Sequence, residues 1–222
     1  MNNSTFIQLE HVTKLYHRGP ETVHALEDIT LTIGAGEYVA VVGHSGSGKT
    51  TLMNILGCLD HPTRGRIVIN GHELQHAAEK ELNRFRRQTI GFIFQQFFLI
   101  PTLNVIENVE LPSLFTGINK KDRARQLVEM VGLGKRMRHL PGQLSGGEMQ
   151  RAAIARSLIN SPSILLADEP TGNLDSRNAE AIMGVFEKLN GEGMTIIVVT
   201  HNPDLVKRCS RTVHIDDGRI RT

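Results

Sequence analysis

The chain has 222 residues, 40% hydrophobic and 22% charged, an ordinary globular composition with room for one large domain or a domain with a subdomain. A formal net charge of +2 gives no electrostatic case for nucleic acid or an anionic membrane surface. Trp is absent and aromatics make up 5%, which argues against a nucleic-acid base-stacking surface, and the widely separated Cys58 and Cys209 fit a reduced, cytosolic protein better than a metal site or disulfide framework.

The first residues, "MNNSTFIQLEHV", lack the basic and apolar regions of a signal peptide. "FIQLEHVTKLY" and "HALEDITLTI" alternate apolar and polar residues and predict half-exposed antiparallel strands. "EYVAVVG" is a short continuous apolar run ending in glycine, the pattern of a strand buried on both faces. A helix follows in "GKTTLMNILGCL", then a strand and turn in "GRIVINGHEL" and another buried strand in "IGFIFQ". From about residue 97 to 160 the texture is helical throughout, in "NVIENVELPSLF", "KKDRARQLVEMVGL" and "LSGGEMQRAAIARSL". Buried strands return in "SILLADEP" and "MTIIVVTH", on either side of the helix "SRNAEAIMGVFEKLN", and "TVHIDDGRI" closes with a strand and turn. These apolar runs are far shorter than the roughly 18–20 residues that span a bilayer. The alternation predicts an α/β fold with a largely parallel sheet, an antiparallel N-terminal portion and an inserted helical subdomain. One domain is expected, with 1–95 and 160–222 forming the β portion and core and about 96–159 forming the helical unit.

"GHSGSGKT", from Gly43 to Thr50, fits G-x-x-x-x-G-K-[ST] and lies between a predicted strand and helix, the context a P-loop requires. Its glycines, Gly43, Gly46 and Gly48, let successive N–H groups converge on phosphate oxygens; His44, Ser45 and Ser47 complete the loop. Lys49 supplies charge to the β- and γ-phosphates, and the Thr50 hydroxyl, followed by Thr51, is offered to Mg²⁺. Asp168 and Glu169 end a buried strand, where open α/β sheets gather ligands. Asp168 is placed to hold Mg²⁺ and Glu169 to polarise the attacking water. His201 and Gln95 end two further strands; His201 is either structural or near the γ-phosphate, and the Gln95 amide oxygen suits the Mg²⁺ or water shell. Tyr16 is either an adenine platform or an ordinary strand tyrosine. A second phosphate-binding helix start stands at Ser145, Gly146 and Gly147. The stretch 96–103, "QFFLIPTL", either lines a groove for a partner helix or fills the helical core.

"GHSGSGKT", "GFIFQQ", "LSGGEMQR", "ILLADEPTGNLD" and "VVTH", in this order, resemble the ATP-binding-cassette ATPases along nearly the whole chain. The resemblance implies a P-loop core of the RecA type, ATP and Mg²⁺ as cofactors, and ATP hydrolysis coupled to transport. It further implies that Gln95 is the Q-loop residue, Ser145 to Glu148 the signature, Asp175 the D-loop, His201 the switch histidine and Tyr16 the adenine-stacking aromatic. "NILGCLDHPTRG", "FIFQQFFLIPTLNVIENVELP" and "PTGNLDS" look like the macrolide-exporter and lipoprotein-releasing branch, with a cell-division ATPase as close kin. His44 departs from the proline usual there; its side chain is expected to point away from the phosphates.

The same resemblance answers why one chain carries two phosphate-binding helix starts. In the family two cassettes pack head to tail and each signature caps the ATP of the opposite P-loop. A second copy of the chain and an integral membrane permease are therefore the expected partners, on the cytoplasmic face of the membrane, without nucleic acid. A DNA-repair or chromosome ATPase would need a long coiled-coil insertion that the sequence lacks. A regulatory ATPase that gates a membrane partner without transport would carry identical catalytic residues.

Overall fold

Period-two alternation along the N-terminal segment puts every second side chain on one face. In this computed structural model, which describes residues 5–118 and 120–221, that segment forms β1 (Thr5–Arg18) and β2 (Glu21–Gly34), paired antiparallel. There follow β3 (Tyr38–Val42), α1 (Lys49–Leu56), β4 (Arg64–Ile69), β5 (His72–Glu73), α2 (Glu79–Thr89) and β6 (Ile90–Ile93). The helical interval holds α3 (Val105–Leu114), α4 (Lys121–Met130) and α5 (Gly146–Ser157), with short 3₁₀ turns at Gly134–Arg136 and Pro141–Gln143. The chain ends in β7 (Ile164–Asp168), α6 (Ser176–Gly191), β8 (Thr195–Val199), α7 (Pro203–Arg208), β9 (Arg211–Asp216) and β10 (Arg219–Arg221).

Two sheets result. One is antiparallel, in the order β2-β1-β4-β5; the other runs β10-β9-β3-β8-β7-β6 and is parallel except for its edge strand β10. The six-stranded sheet divides the core by the period of its strands. Val39, Val41, Leu166, Ile197 and Val199 pack on one face against α1, α2 and the antiparallel sheet. Ala40, Leu165, Ala167, Ile196 and Val198 pack on the other against α3 to α7. Among the described residues, no helix is long and apolar enough to cross a membrane.

Two helices lie where the sequence reading placed none. In α2 only Leu82 and Phe85 are buried, so a narrow apolar stripe hidden among charges carries the helix onto the sheet. At six residues, α7 is too short for periodicity to betray it; Asn202 caps it and Pro203 pre-sets its first turn. The reading also ran the sixth strand to Gln95, whereas pairing with β7 stops at Ile93 and leaves Gln95 exposed in the following loop.

Candidate functional site

The P-loop joins β3 to α1. Gly48, at φ 105°, caps the helix without any side-chain hydrogen bond, so the N–H groups of the first turn stay available to an anion. Close packing makes two glycines obligatory. A Cβ on Gly43 would overlap the Ile215 carbonyl, and one on Gly48 would lie 2.5 Å from the Ala25 carbonyl oxygen. Lys49 folds back over the loop, its Nζ donating to the carbonyls of Gly43 at 2.9 Å and His44 at 2.7 Å. Gly46 is exposed at φ 81°, and Ser45 and Thr50 are exposed beside it.

The Ser47 side chain is turned inward. The residue is 0% exposed, its hydroxyl faces the interior beside Gly43, and its carbonyl accepts from Gly218 at 3.0 Å. The His44 side chain reaches the β9–β10 turn: its Nε2 lies 2.7 Å from Asp216 Oδ1 and 3.4 Å from Asp217 Oδ1. Thr51 is half-buried in the first turn of α1, close enough to bond the Tyr16 hydroxyl.

Tyr16 stands in β1, paired with Val23. Its hydroxyl donates to Asp60 at 2.7 Å, and Lys14 Nζ sits 4.8 Å from the ring centroid. Burial first, then the Asp60 bond, holds the phenol above its usual pKa. The ring is thus fixed next to the P-loop helix, with the Lys14 ammonium packed over it.

At the same carboxyl end of the parallel strands, Asp168 closes β7. Burial, reinforced by Glu169 and opposed by Lys49, raises its pKa, which places the lysine and both acids in one electrostatic neighbourhood. Glu169 adopts φ 44°, a left-handed conformation that costs a non-glycine residue about 1–2 kcal/mol. The strain aims its carboxylate at the end of β8. Oε1 lies 2.8 Å from His201 Nδ1, and Oε2 accepts weakly from the Thr200 hydroxyl and the His201 N–H, both at 3.4 Å. A carboxylate with 16% of its surface exposed is held by an imidazole with 76% exposed. Gln95 is anchored through its carbonyl by Asn173 at 3.2 Å, and its amide packs beside Gly172, just after Glu169.

Ser145 caps α5 in a reciprocal box. Its oxygen accepts from the Glu148 N–H at 3.3 Å while Glu148 Oε2 accepts from the Ser145 N–H at 2.9 Å. The Ser145 backbone bond is the main cause holding Glu148 below the usual carboxylate pKa. The cap serves only the third helical residue, so the N–H groups of Gly146 and Gly147 retain their character as open first-turn donors. Gly146 and Ser145 reach solvent, whereas Gly147 is buried against Asn178. Asp175 caps α6 through the Asn178 N–H at 2.8 Å, which lowers its pKa.

The structure therefore gathers Lys49, Asp168, Glu169 and His201 about the ends of the parallel strands, with Thr50 in the first turn of α1 and Gln95 beside the segment after Glu169. Ser145, Gly146, Gly147 and Asp175 form a separate group. The reading of motifs passed over Gln150, Asn178 and Asn202. Gln150 is buried and donates to the Pro170 carbonyl at 3.0 Å, and Asn202 donates to Thr171 at 3.3 Å. A polar residue on the buried face of α5 was the available signal for Gln150, and the D-x-x-N spacing after Asp175 that for Asn178.

The segment 96–103 splits between its two readings. Leu99 packs into the helical core, but Phe98 is 59% exposed at φ 45°, and Arg156 binds the carbonyls of Phe97 and Phe98. Phe98 meets Phe94 edge to face, and Phe94 stacks on Phe92. A groove past Arg87, Pro112 and Asn160 leads on to exposed Leu114, Phe115 and Ile118, which the sequence reading did not single out.

A family described as "ABC transporter" matches residues 26–172. The chain is 51% identical over 217 residues to an uncharacterized ABC transporter ATP-binding protein, YknY, of Bacillus subtilis, covering 96% of this chain and 94% of that protein. It is 49% identical to the macrolide export ATP-binding/permease protein MacB 1/2 of Paracoccus denitrificans, of which it spans only 32%. Among solved structures, the dimeric post-hydrolysis state of the cassette MJ0796 bound to ADP and Pi matches with a TM-score of 0.91 and 44% identity over 97% of each chain.

Proposed function

We infer the function from one premise: this chain belongs to the ABC transporter ATP-binding family. It is an ATP-hydrolysing cassette. Our reading is that it works as a head-to-tail dimer around two ATP molecules, at the cytoplasmic face of a membrane, driving an integral membrane partner. One observation carries the shared site. The P-loop opens α1 on one face of the central sheet, while the signature opens α5 on the other. Two phosphate-binding helix starts separated by a sheet are poorly placed to hold one nucleotide from within a single chain. A two-fold axis gives each a partner, and both MJ0796 structures similar to this chain are dimers.

Within one site, ATP phosphates meet the open N–H groups at the start of α1, and Lys49 exchanges its two loop carbonyls for phosphate oxygens. Thr50, Asp168 and Gln95 offer an all-oxygen donor set, the chemistry that suits a hard cation, so Mg²⁺ fits. Bound by these residues, Mg²⁺ would supply neutralising charge to the phosphates. Glu169 takes the proton of the attacking water, and His201 holds its carboxylate in line.

The test is complementation, run in a Glu169→Gln background so that nucleotide stays trapped. Lys49→Ala spoils a chain's own cradle; Ser145→Arg spoils the cap it offers its partner. Neither variant alone will retain labelled ATP. Mixed dimers will retain up to one ATP each, because both defects fall in the same site. Mixtures that retain no more than the separate variants, with mixed dimers verified by differential tagging, would overturn the shared site.

The membrane partner is assigned to the exposed aromatic strip beginning at Phe98, with residues 96–159 as the lever that transmits nucleotide state. Phe98→Asp will leave the ATPase activity of the isolated chain nearly intact and abolish its coupling to the partner, measured as partner-dependent stimulation. A melting temperature lowered by many degrees would show instead that Phe98 serves the core.

A further inference from the structure

Gly147 is the second glycine of the signature, yet it is buried rather than presented to solvent. A Cβ built on it would overlap Oδ1 and Cγ of Asn178 and lie 2.8 Å from the Asn178 Cβ. Residue 147 is thus held to glycine by Asn178, a constraint independent of any phosphate. The polar atoms of Asn178 are equally committed. Its N–H and its Nδ2 donate to the two oxygens of Asp175, each at 2.8 Å, and its Oδ1 accepts from Arg151 Nη1 at 3.2 Å. Arg151 belongs to α5 and Asp175 caps α6. One half-buried amide therefore joins the first turns of both helices.

We propose that Asn178 is a positioning residue for ATP hydrolysis, keeping the signature end of α5 and the Asp175 cap of α6 in one fixed relation so that both close on the partner's nucleotide together. The proposal rests on the shared-site reading. Asn178 touches no nucleotide in that arrangement. Without its side chain, Gly147 loses its packing partner and Arg151 its acceptor. Gln150 still ties the middle of α5 to Pro170, so the helix stays in place while its N-terminus is free to rock. A misplacement of about 1 Å at a reacting centre costs on the order of 10²-fold in rate. The P-loop lies across the sheet and keeps its own hold on ATP.

The experiment combines turnover with a contact test on the full chain. Asn178→Ala will lower kcat by roughly 10–10²-fold while KM for ATP stays within about threefold. Asn178→Asp, which sets a carboxylate against Asp175, will do no better. Asp175 keeps the backbone N–H of residue 178, so the melting temperature of Asn178→Ala will stay within a few degrees of the parent. Gly147→Ala alone will lower it by roughly 3–10 °C through overpacking, and adding Asn178→Ala will restore most of that loss. A kcat for Asn178→Ala within about twofold of the parent, or a raised KM at unchanged kcat, would overturn the proposal. So would additive melting losses in the double variant. The Lys49 and Ser145 mixtures leave Asn178 intact, so a failed shared site shows there and a failed positioning role shows here.

Discussion

Replacing Glu169 by glutamine will leave ATP binding intact and reduce hydrolysis by on the order of 10²–10⁴-fold, the usual contribution of a positioned general base. The substitution keeps the size of the side chain and its reach to Thr200 and His201, so the left-handed turn that aims residue 169 is undisturbed. Only the capacity to take a proton is lost. A cassette that binds but does not cleave ATP accumulates in its closed state, so the variant will elute as an ATP-dependent dimer in size-exclusion chromatography. Normal turnover in this variant would shift the role of base to His201, whose ring is mostly exposed and has room to approach a nucleotide.

The second large effect belongs to Lys49→Ala, which will abolish tight ATP binding. In the structure Nζ already makes two hydrogen bonds, to the carbonyls of Gly43 and His44. Phosphate oxygens compete for these donors. Hydrogen bonds to charged groups contribute roughly 1.5–3 kcal/mol each, so losing two costs about 3–6 kcal/mol, or at least about 10²-fold in affinity. Alanine at position 49 also removes the cation that opposes the raised pKa of Asp168, leaving two carboxylates to face the triphosphate alone. Equilibrium ATP affinity within about threefold of the parent would refute the assignment of the cradle. The two variants are complementary: one separates binding from chemistry, the other removes binding itself.

Much of this molecule is written in short-range pattern. The alternation of β1 and β2, interrupted by irregularities at His11 and Asp28, the buried runs of β3, β7 and β8, and the glycines between β3 and α1 are local signals, each with a local cause. The P-loop could be read for the same reason, since a tight strand-to-helix turn needs its glycines and its lysine at fixed offsets. The ends of β7 and β8 were legible too, and a parallel sheet gathers strand ends at one edge, so the sequence alone brings Asp168, Glu169 and His201 near one another.

Tertiary structure decided what sequence spacing cannot encode. Whether Ser47 offers its hydroxyl to a ligand depends on which way the loop rolls, and here the side chain is buried beside Gly43 while the Ser47 carbonyl accepts from Gly218. The division of "QFFLIPTL" into a core residue, Leu99, and an exposed one, Phe98, followed from a left-handed backbone at Phe98 and from Arg156 reaching across from α5. The pairing of Gly147 with Asn178 joins residues thirty-one positions apart and could appear only once α5 and α6 lay side by side. The sequence by itself determined most of the elements, their order and the chemistry available to them, because those depend on periodicity and turn geometry within a few residues; α2 and α7, with too narrow a stripe or too few residues, escaped it. Which polar groups meet, which are hidden and which helix start faces which side of the sheet came from packing, because burial is a property of the assembled surfaces and not of any one segment.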